Sequence, residues 1–305
     1  MAALNDTQGR LCTFGGRENL ARSLGSVYAC SVTLFLGSGF RSVVSSSVAL
    51  KLCEYNIVTS IAVCASGTSV LVSDAHTGLI HELHVSNGAL RKLVNANVAK
   101  PCRMKVPRLM SFAPNGALFV VDALDARINV FNPPQLDFHT VIGAGQLVRP
   151  HGVFADAAVV VVSEPTMKRL SVFGRSDGAL LRRVGMGELL HPLGVCFTST
   201  PGCVAVADAH RHRVSLYCIS GAFIRHCGAG VLRGPVAVAC SACNELIVSH
   251  YHAIAIFSPC GDLVKNIASE HIVVALAIHG VSVFTGCGVR DRYRYRREFT
   301  CCVYT

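Results

Sequence analysis

Short apolar runs alternate along the chain with turn residues, and the runs recur. Residues 119–131 read FVVDALDARINVF, residues 160–173 read VVVSEPTMKRLSVF and residues 204–217 read VAVADAHRHRVSLY. In each, an apolar run ends on an acid (Asp122, Glu164, Asp208), a short turn follows, and an arginine (Arg127, Arg169, Arg213) stands five residues after the acid. An alternating run then ends on an aromatic. Alternation with period two is the mark of a strand with two unlike faces. Weaker copies flank these three: 70–74 (VLVSD) leads to Ile80, and 246–249 (LIVS) leads to 254–257 (IAIF), both without the arginine. The anchors Ile80, Ile128, Leu170, Val214 and Ile254 are 48, 42, 44 and 40 residues apart, a spacing that belongs to repeat architectures.

Three copies open on a proline followed by small or apolar residues, at Pro150-His-Gly-Val, Pro192-Leu-Gly-Val and Pro235-Val-Ala-Val. Behind the copies come glycine turns (Gly88, Gly178, Gly221, Gly261) and a further strand, such as 179–185. The set resembles the NHL repeat, over about residues 58–267. That resemblance implies an all-β fold, a β-propeller of four-stranded antiparallel blades, with six blades the leading count and seven the alternative. Five copies are legible. The ends would supply the rest: 27–52 reads as two strands around 37–39, and 272–278 and 281–284 read as two more. The expected organisation is an atypical segment 1–57 belonging to the first or closing blade, five repeats over 58–267, and closing strands with a basic tail over 268–305.

Composition sharpens this picture. Apolar residues are 51% of the chain and charged ones 15%, which excludes disorder and permits a large core. No apolar run approaches the roughly 18 residues of a membrane helix, and Asn5, Asp6, Arg10 and Arg17 break any signal-peptide pattern. A cytoplasmic location, with the nucleus as the alternative, and a monomer are expected. The 15 cysteines are odd in number and spread through predicted strands, so most read as small buried hydrophobes.

The net charge of +10 (28 − 18) suits an anionic partner. In an up-and-down blade the turn between the second and third strands shares a face with the link between blades. That places His76, Lys168, Arg169, His210, Arg211, His212, His250 and His252 beside Arg108, Arg149, His151, His191 and Arg233. The opposite face receives turns near Asn87, Asn115, Asp156, Asp177 and Asp262. Arg108, Arg149, His151, Lys168, His191, Arg211, His212, Arg233 and His250 are therefore the candidate binding residues. Asp74, Asp122, Arg127, Glu164, Arg169, Asp208 and Arg213 read as structural repeat positions, each arginine pairing with its preceding acid. The tail 290–297 (RDRYRYRR) reads either as a closing strand or as a stacking segment.

Catalytic motifs are thin. The chain has no nucleophile elbow, phosphate-binding loop or paired-histidine zinc motif. Cys240 and Cys243 form one Cys-x-x-Cys without a second half, and no metal or cofactor is expected. The leading expectation is a non-catalytic scaffold that binds a protein or single-stranded RNA through its basic face. The alternative is a calcium-dependent lactonase-like hydrolase, for which Glu164 and Asp208 are the only seeds.

Overall fold

A computed structural model of the chain describes residues 29–34, 46–51, 58–99, 102–269, 272–279, 282–290 and 297–304. The first two strands, β1 (Ala29–Leu34) and β2 (Ser46–Lys51), pair with one another. Five four-stranded antiparallel blades follow in sequence order. Blade one holds β3 (Val58–Val63), β4 (Ser69–Asp74), β5 (Leu79–His84) and β6 (Leu90–Val94); blade two holds β7 (Pro107–Phe112), β8 (Leu118–Asp122), β9 (Arg127–Asn132) and β10 (Asp137–Ile142). Blade three holds β11 (Val153–Ala155), β12 (Val159–Glu164), β13 (Arg169–Gly174) and β14 (Leu180–Val184). Blade four holds β15 (Pro192–Phe197), β16 (Cys203–Asp208), β17 (Arg213–Cys218) and β18 (Phe223–Cys227). Blade five holds β19 (Pro235–Cys240), β20 (Leu246–His250), β21 (Ala253–Phe257) and β22 (Leu263–Ala268). A three-stranded sheet of β23 (Ile272–His279), β24 (Ser282–Arg290) and β25 (Arg297–Tyr304) ends the chain.

The architecture is a β-propeller. The first strands of successive blades touch one another in order, β23 touches both β19 and β3, and β1 runs beside β25. The core is accordingly divided into layers between neighbouring sheets. Val120, Phe131 and Ile80 belong to the layer between blades one and two, and Val160, Phe173 and Leu147 to the next. Val206 and Tyr217 fill the layer between blades three and four, and Val248 and Phe257 that between four and five. Ile256 packs on Val273, and Ala275 on Val58, so the layers continue across the last sheet. Each second strand is sandwiched on both faces: β4, β8, β12, β16 and β20 are buried along their whole length. This is why their sequences run apolar without alternation, each valine contributing about 1.5–3 kcal/mol by burial.

The Pro-x-Gly-Val opening has a steric cause. A Cβ on Gly194 would stand 2.8 Å from the Ala237 Cα of the next blade's inner strand, and one on Gly152 would meet the Leu193 carbonyl oxygen. The inner strands crowd the axis, and only glycine permits that approach. A second element was not legible as a motif. Gly143, Gly185 and Gly228 take positive φ (75°, 76° and 77°) and begin turns that tuck Leu147, Leu189 and Leu232 under the aromatics Phe173, Tyr217 and Phe257 of the following blade. Each leucine N–H donates back to its glycine carbonyl (3.1, 3.0 and 2.9 Å). These leucines are wedges that set the spacing between blades.

The closing region is described in part. Strands fall where 27–52 and 272–284 were expected to supply them, and β24 and β25 bracket the Arg/Tyr run, whose residues 291–296 lie outside the described ones. No helix among the described residues is long and apolar enough to cross a membrane. The cysteines depart from expectation. Of those described, Cys196, Cys203 and Cys227 are buried, Cys64, Cys102, Cys218 and Cys240 are half-buried, and Cys243 and Cys260 are exposed. Strand ends and turns carry them, where the interblade layers no longer cover a side chain.

Candidate functional site

The acid that closes each second strand does one job in three blades. Asp122 Oδ2 and Oδ1 accept the N–H groups of Lys105 and Val106 (3.1 and 3.2 Å), and Asp208 accepts those of Leu190 and His191 (3.0 and 2.8 Å). Glu164 Oε2 accepts the Val148 N–H at 2.7 Å. All three carboxylates are fully buried. They tie the incoming interblade link to its own blade, satisfying amides that would otherwise be orphaned. In blade one, Asp74 accepts the His76 N–H (2.9 Å) and the Thr77 hydroxyl (2.6 Å) of its own hairpin.

The arginines are less uniform than their spacing. Arg169 is buried and donates to both oxygens of Glu164 (2.8 and 3.3 Å), while the Ser171 hydroxyl donates to Oε1. Arg127 lies 3.9 Å from Asp122 and 3.2 Å from Asp125. Arg213 breaks the series: its Nε is buried without a hydrogen-bond partner, and Asp208 is approached by Arg211 at 3.9 Å instead.

The shared face of turns and links forms as the topology requires. Gly234 N–H donates to His212 Nδ1 (2.9 Å), Ala209 N–H to the His191 carbonyl (3.0 Å) and Ser269 N–H to the His252 carbonyl (2.7 Å), joining each link to an adjacent turn. Arg149, Lys168, Arg211 and Arg233 are exposed there, as are His210 and His212, with Arg103 and Lys105 in the link after blade one. Arg108 and His191 are half-buried nearer the axis, and the His191 and His210 rings stack at 4.2 Å. On the opposite face the turns between first and second and between third and fourth strands carry Asp156, Asp177, Glu245 and Asp262, with Arg175 the sole cation among the described residues.

Of the expected contact residues, His250 is buried and His151 is half-buried. His250 is 5% exposed and closes β20 where the other blades have an acid, its Nδ1 accepting the Arg233 N–H at 3.3 Å and its Nε2 facing Asn266 Oδ1 at 3.2 Å. Burial lowers its pKa, with the Arg233 charge adding to the effect and Asn266 opposing it. His151 is half-buried, its Nδ1 is closed off without a partner, and burial followed by the Arg108 and His191 charges pushes its pKa down to about 3. His191 is also lowered, by burial and then by His210, against the pull of Asp208. The lowered values of these three imidazoles disfavour their charged forms, so they add less positive charge to the face than free histidines would.

The repeat pattern does not mark which leucines and methionines stand exposed on the same face. Leu124 (64% exposed), Met186 (65%) and Tyr251 (62%) stand out from turns and links, with Val148 and Met167 beside Arg149 and Lys168. Ala126, Lys168, His212 and Tyr251 hold positive φ (48°, 53°, 53° and 45°) near the ends of the turns between second and third strands. Glycine would occupy that region at less cost. A cavity of about 390 Å³ lies elsewhere, at the rim between blades one and two, lined by Lys92, Asn95, Val98, Cys102, Leu136 and Phe138 and by none of the candidate residues.

No protein-family model matches the chain, and no curated protein is similar to it in sequence. Among solved structures, a chain from the crystal structure of a nidogen/laminin complex superposes with a TM-score of 0.62 at 13% identity, covering 91% of this chain and 97% of that one. The likeness is one of fold, and it agrees with the blade topology: the chain is an all-β propeller with four-stranded antiparallel blades.

Proposed function

We propose that this propeller is a non-catalytic scaffold of six NHL-like blades. In this reading the sheet β23–β25, with β1 beside it, serves as the sixth. The scaffold captures an acidic protein segment on its basic face. The observation that carries the reading is the interleaving on that face of outward cations (Arg149, Lys168, Arg211, Arg233) with exposed Leu124, Met167, Met186 and Tyr251. Arginine, methionine and tyrosine are the side chains enriched where proteins meet, and cations alone would suit any polyanion. The solved propeller of similar fold comes from a protein–protein complex, which is in keeping with this reading.

Single-stranded RNA is the second reading, favoured by the stacked His191 and His210 rings beside the cations. The hydrolase alternative would need Glu164 and Asp208 to hold a cation, yet their oxygens are buried and engaged by backbone amides, Arg169, Ser171 and Arg211.

The test is selection from a displayed random-peptide library by the wild-type protein and by a variant carrying Arg149→Glu, Lys168→Glu, Arg211→Glu and Arg233→Glu. The wild type should enrich acidic peptides that also carry apolar residues, and the variant should bind them about tenfold or more weakly at low salt while melting normally. Enrichment without acidic bias, or equal binding by the variant, would defeat the proposal. A random RNA pool run in parallel across a salt series decides for RNA if only that arm shows salt-steep binding lost in the variant.

A further inference from the structure

Cys203 opens β16 and Cys218 closes β17, and the two residues are register partners. Neither uses its backbone on the other. Cys203 N–H donates to the Thr200 carbonyl (3.2 Å), its carbonyl accepts from Thr198 N–H (2.9 Å), and Cys218 N–H donates to the Ala222 carbonyl (2.8 Å), whereas the adjacent Ile219 N–H does cross to Gly202 (2.7 Å). The cysteines thus form a non-hydrogen-bonded antiparallel pair, the type that brings Cα atoms to about 4.5 Å and side chains closest together. A disulfide spans Cα separations of about 4.4–6.8 Å, so this pair can be bridged with no movement of the strands.

We propose that Cys203 and Cys218 are a thiol–disulfide modification site, oxidised reversibly by small-molecule disulfides such as oxidised glutathione. Cys218 is the half-buried member and Cys203 the buried one, so Cys218 meets the oxidant. Its thiolate attacks one sulfur of glutathione disulfide, the S–S bond breaks, and one glutathione thiolate leaves with the proton that Cys218 gave up. Cys203, deprotonated in turn, attacks the Cys218 sulfur of the mixed disulfide and expels the second glutathione. Two electrons pass from the protein sulfurs to glutathione, and both thiol protons end on the two glutathione thiols. Burial raises the Cys203 pKa, which fits its place as the second, intramolecular nucleophile. The bridge closes the hairpin that displays His210, Arg211 and His212, at the end of the hairpin opposite that turn.

The experiment uses the full, reduced chain, equilibrated in glutathione buffers of stepped ratio, quenched by alkylation and mapped by mass spectrometry. Trypsin cuts after Arg183, Arg211, Arg213 and Arg225, so the bridge joins peptide 184–211 to peptide 214–225, and fragmentation separates Cys203 from Cys196. The expected result is that cross-link, with Cys203 and Cys218 lost to alkylation together. In a Cys203→Ser variant, Cys218 should stop at the glutathione adduct. A Cys218 that carries glutathione or pairs with another cysteine while Cys203 remains alkylatable in the wild type would overturn the proposal, as would an unmodified Cys218 in the variant.

Discussion

Blade three ends its second strand on Glu164 and blade five ends it on His250, and the two residues accept a backbone N–H from the equivalent interblade link, Val148 in one case and Arg233 in the other. Around Glu164 the protein has built a closed set of donors, from Val148, Arg169 and Ser171. Around His250 there is no arginine of the repeat and one amide donor, with Asn266 behind the ring. What the position demands is therefore a buried acceptor aimed at the link, and charge is an option that requires a cation alongside. A carboxylate with its arginine is strong and intolerant of losing either partner; a neutral imidazole needs no counter-charge but fails if it takes up a proton.

Removing the acid should have the largest effect. Glu164→Ala leaves Arg169 buried without its carboxylate and the Val148 N–H without an acceptor, and the loss should be about 3–5 kcal/mol in unfolding free energy, read from denaturant titration. His250→Ala also removes an acceptor but strands no charge, so it should cost distinctly less. Equal losses from the two would mean that the charge at Glu164 is irrelevant and that the blades differ only in side-chain shape.

Acid should separate the same two blades. With Nδ1 accepting from Arg233, His250 carries its proton on Nε2, and a second proton would turn the acceptor into a donor. Its folded pKa is lowered, so above the ordinary histidine value of 6.5 neither state binds the proton and nothing is lost. As pH falls below that value the unfolded chain protonates first and stability declines until the folded pKa is reached. His250→Asp, which gives blade five the residue of blades two and four, should remove this contribution, at most about 1.4 kcal/mol per pH unit for one proton. Thermal melts between pH 6.5 and 5 read it directly. The His151 contribution remains in both proteins, so the variant's curve should be flatter but not flat, and an unchanged slope would remove His250 from the account.

Much of this frame could be read in advance, and the misses have physical causes. The five repeats were legible because a buried second strand writes a continuous apolar run in each, followed in the middle three by an arginine that opens a strand ending on an aromatic. The sharing of one face by turns and links followed from antiparallel connectivity alone, so the sidedness of Arg149, Lys168, Arg211 and Arg233 was legible too. His250 was not, because a histidine at a turn reads as a surface residue unless the acids above it in the alignment are recognised as acceptors. The wedges Leu147, Leu189 and Leu232 fall in links, where neither period two nor helical spacing says which apolar side chain turns inward. For the same reason the exposure of Leu124 and Met186 was beyond reach: one leucine or methionine in a turn is buried and the next is not.

The smallest expected effect tests the pair that sequence spacing makes identical and geometry does not. Arg169 and Arg213 both follow an acid by five residues and both open a third strand. In blade four, however, the turn between the strands is a single 3-10 turn, Ala209–Arg211, which carries Arg211 back over Asp208. Arg213 is left with a buried Nε that makes no hydrogen bond, and no carboxylate among the described residues lies within ion-pair distance of it. A guanidinium in that state contributes its aliphatic stem to packing and little else. Arg213→Met keeps the stem and should change the unfolding free energy by no more than about 0.5 kcal/mol, whereas Arg169→Met should cost about 3 kcal/mol or more by uncovering Glu164. Both are read from urea titrations at pH 7. Similar costs at the two sites would show that Arg213 has a partner that matters after all, and that the repeat arginine is interchangeable between blades.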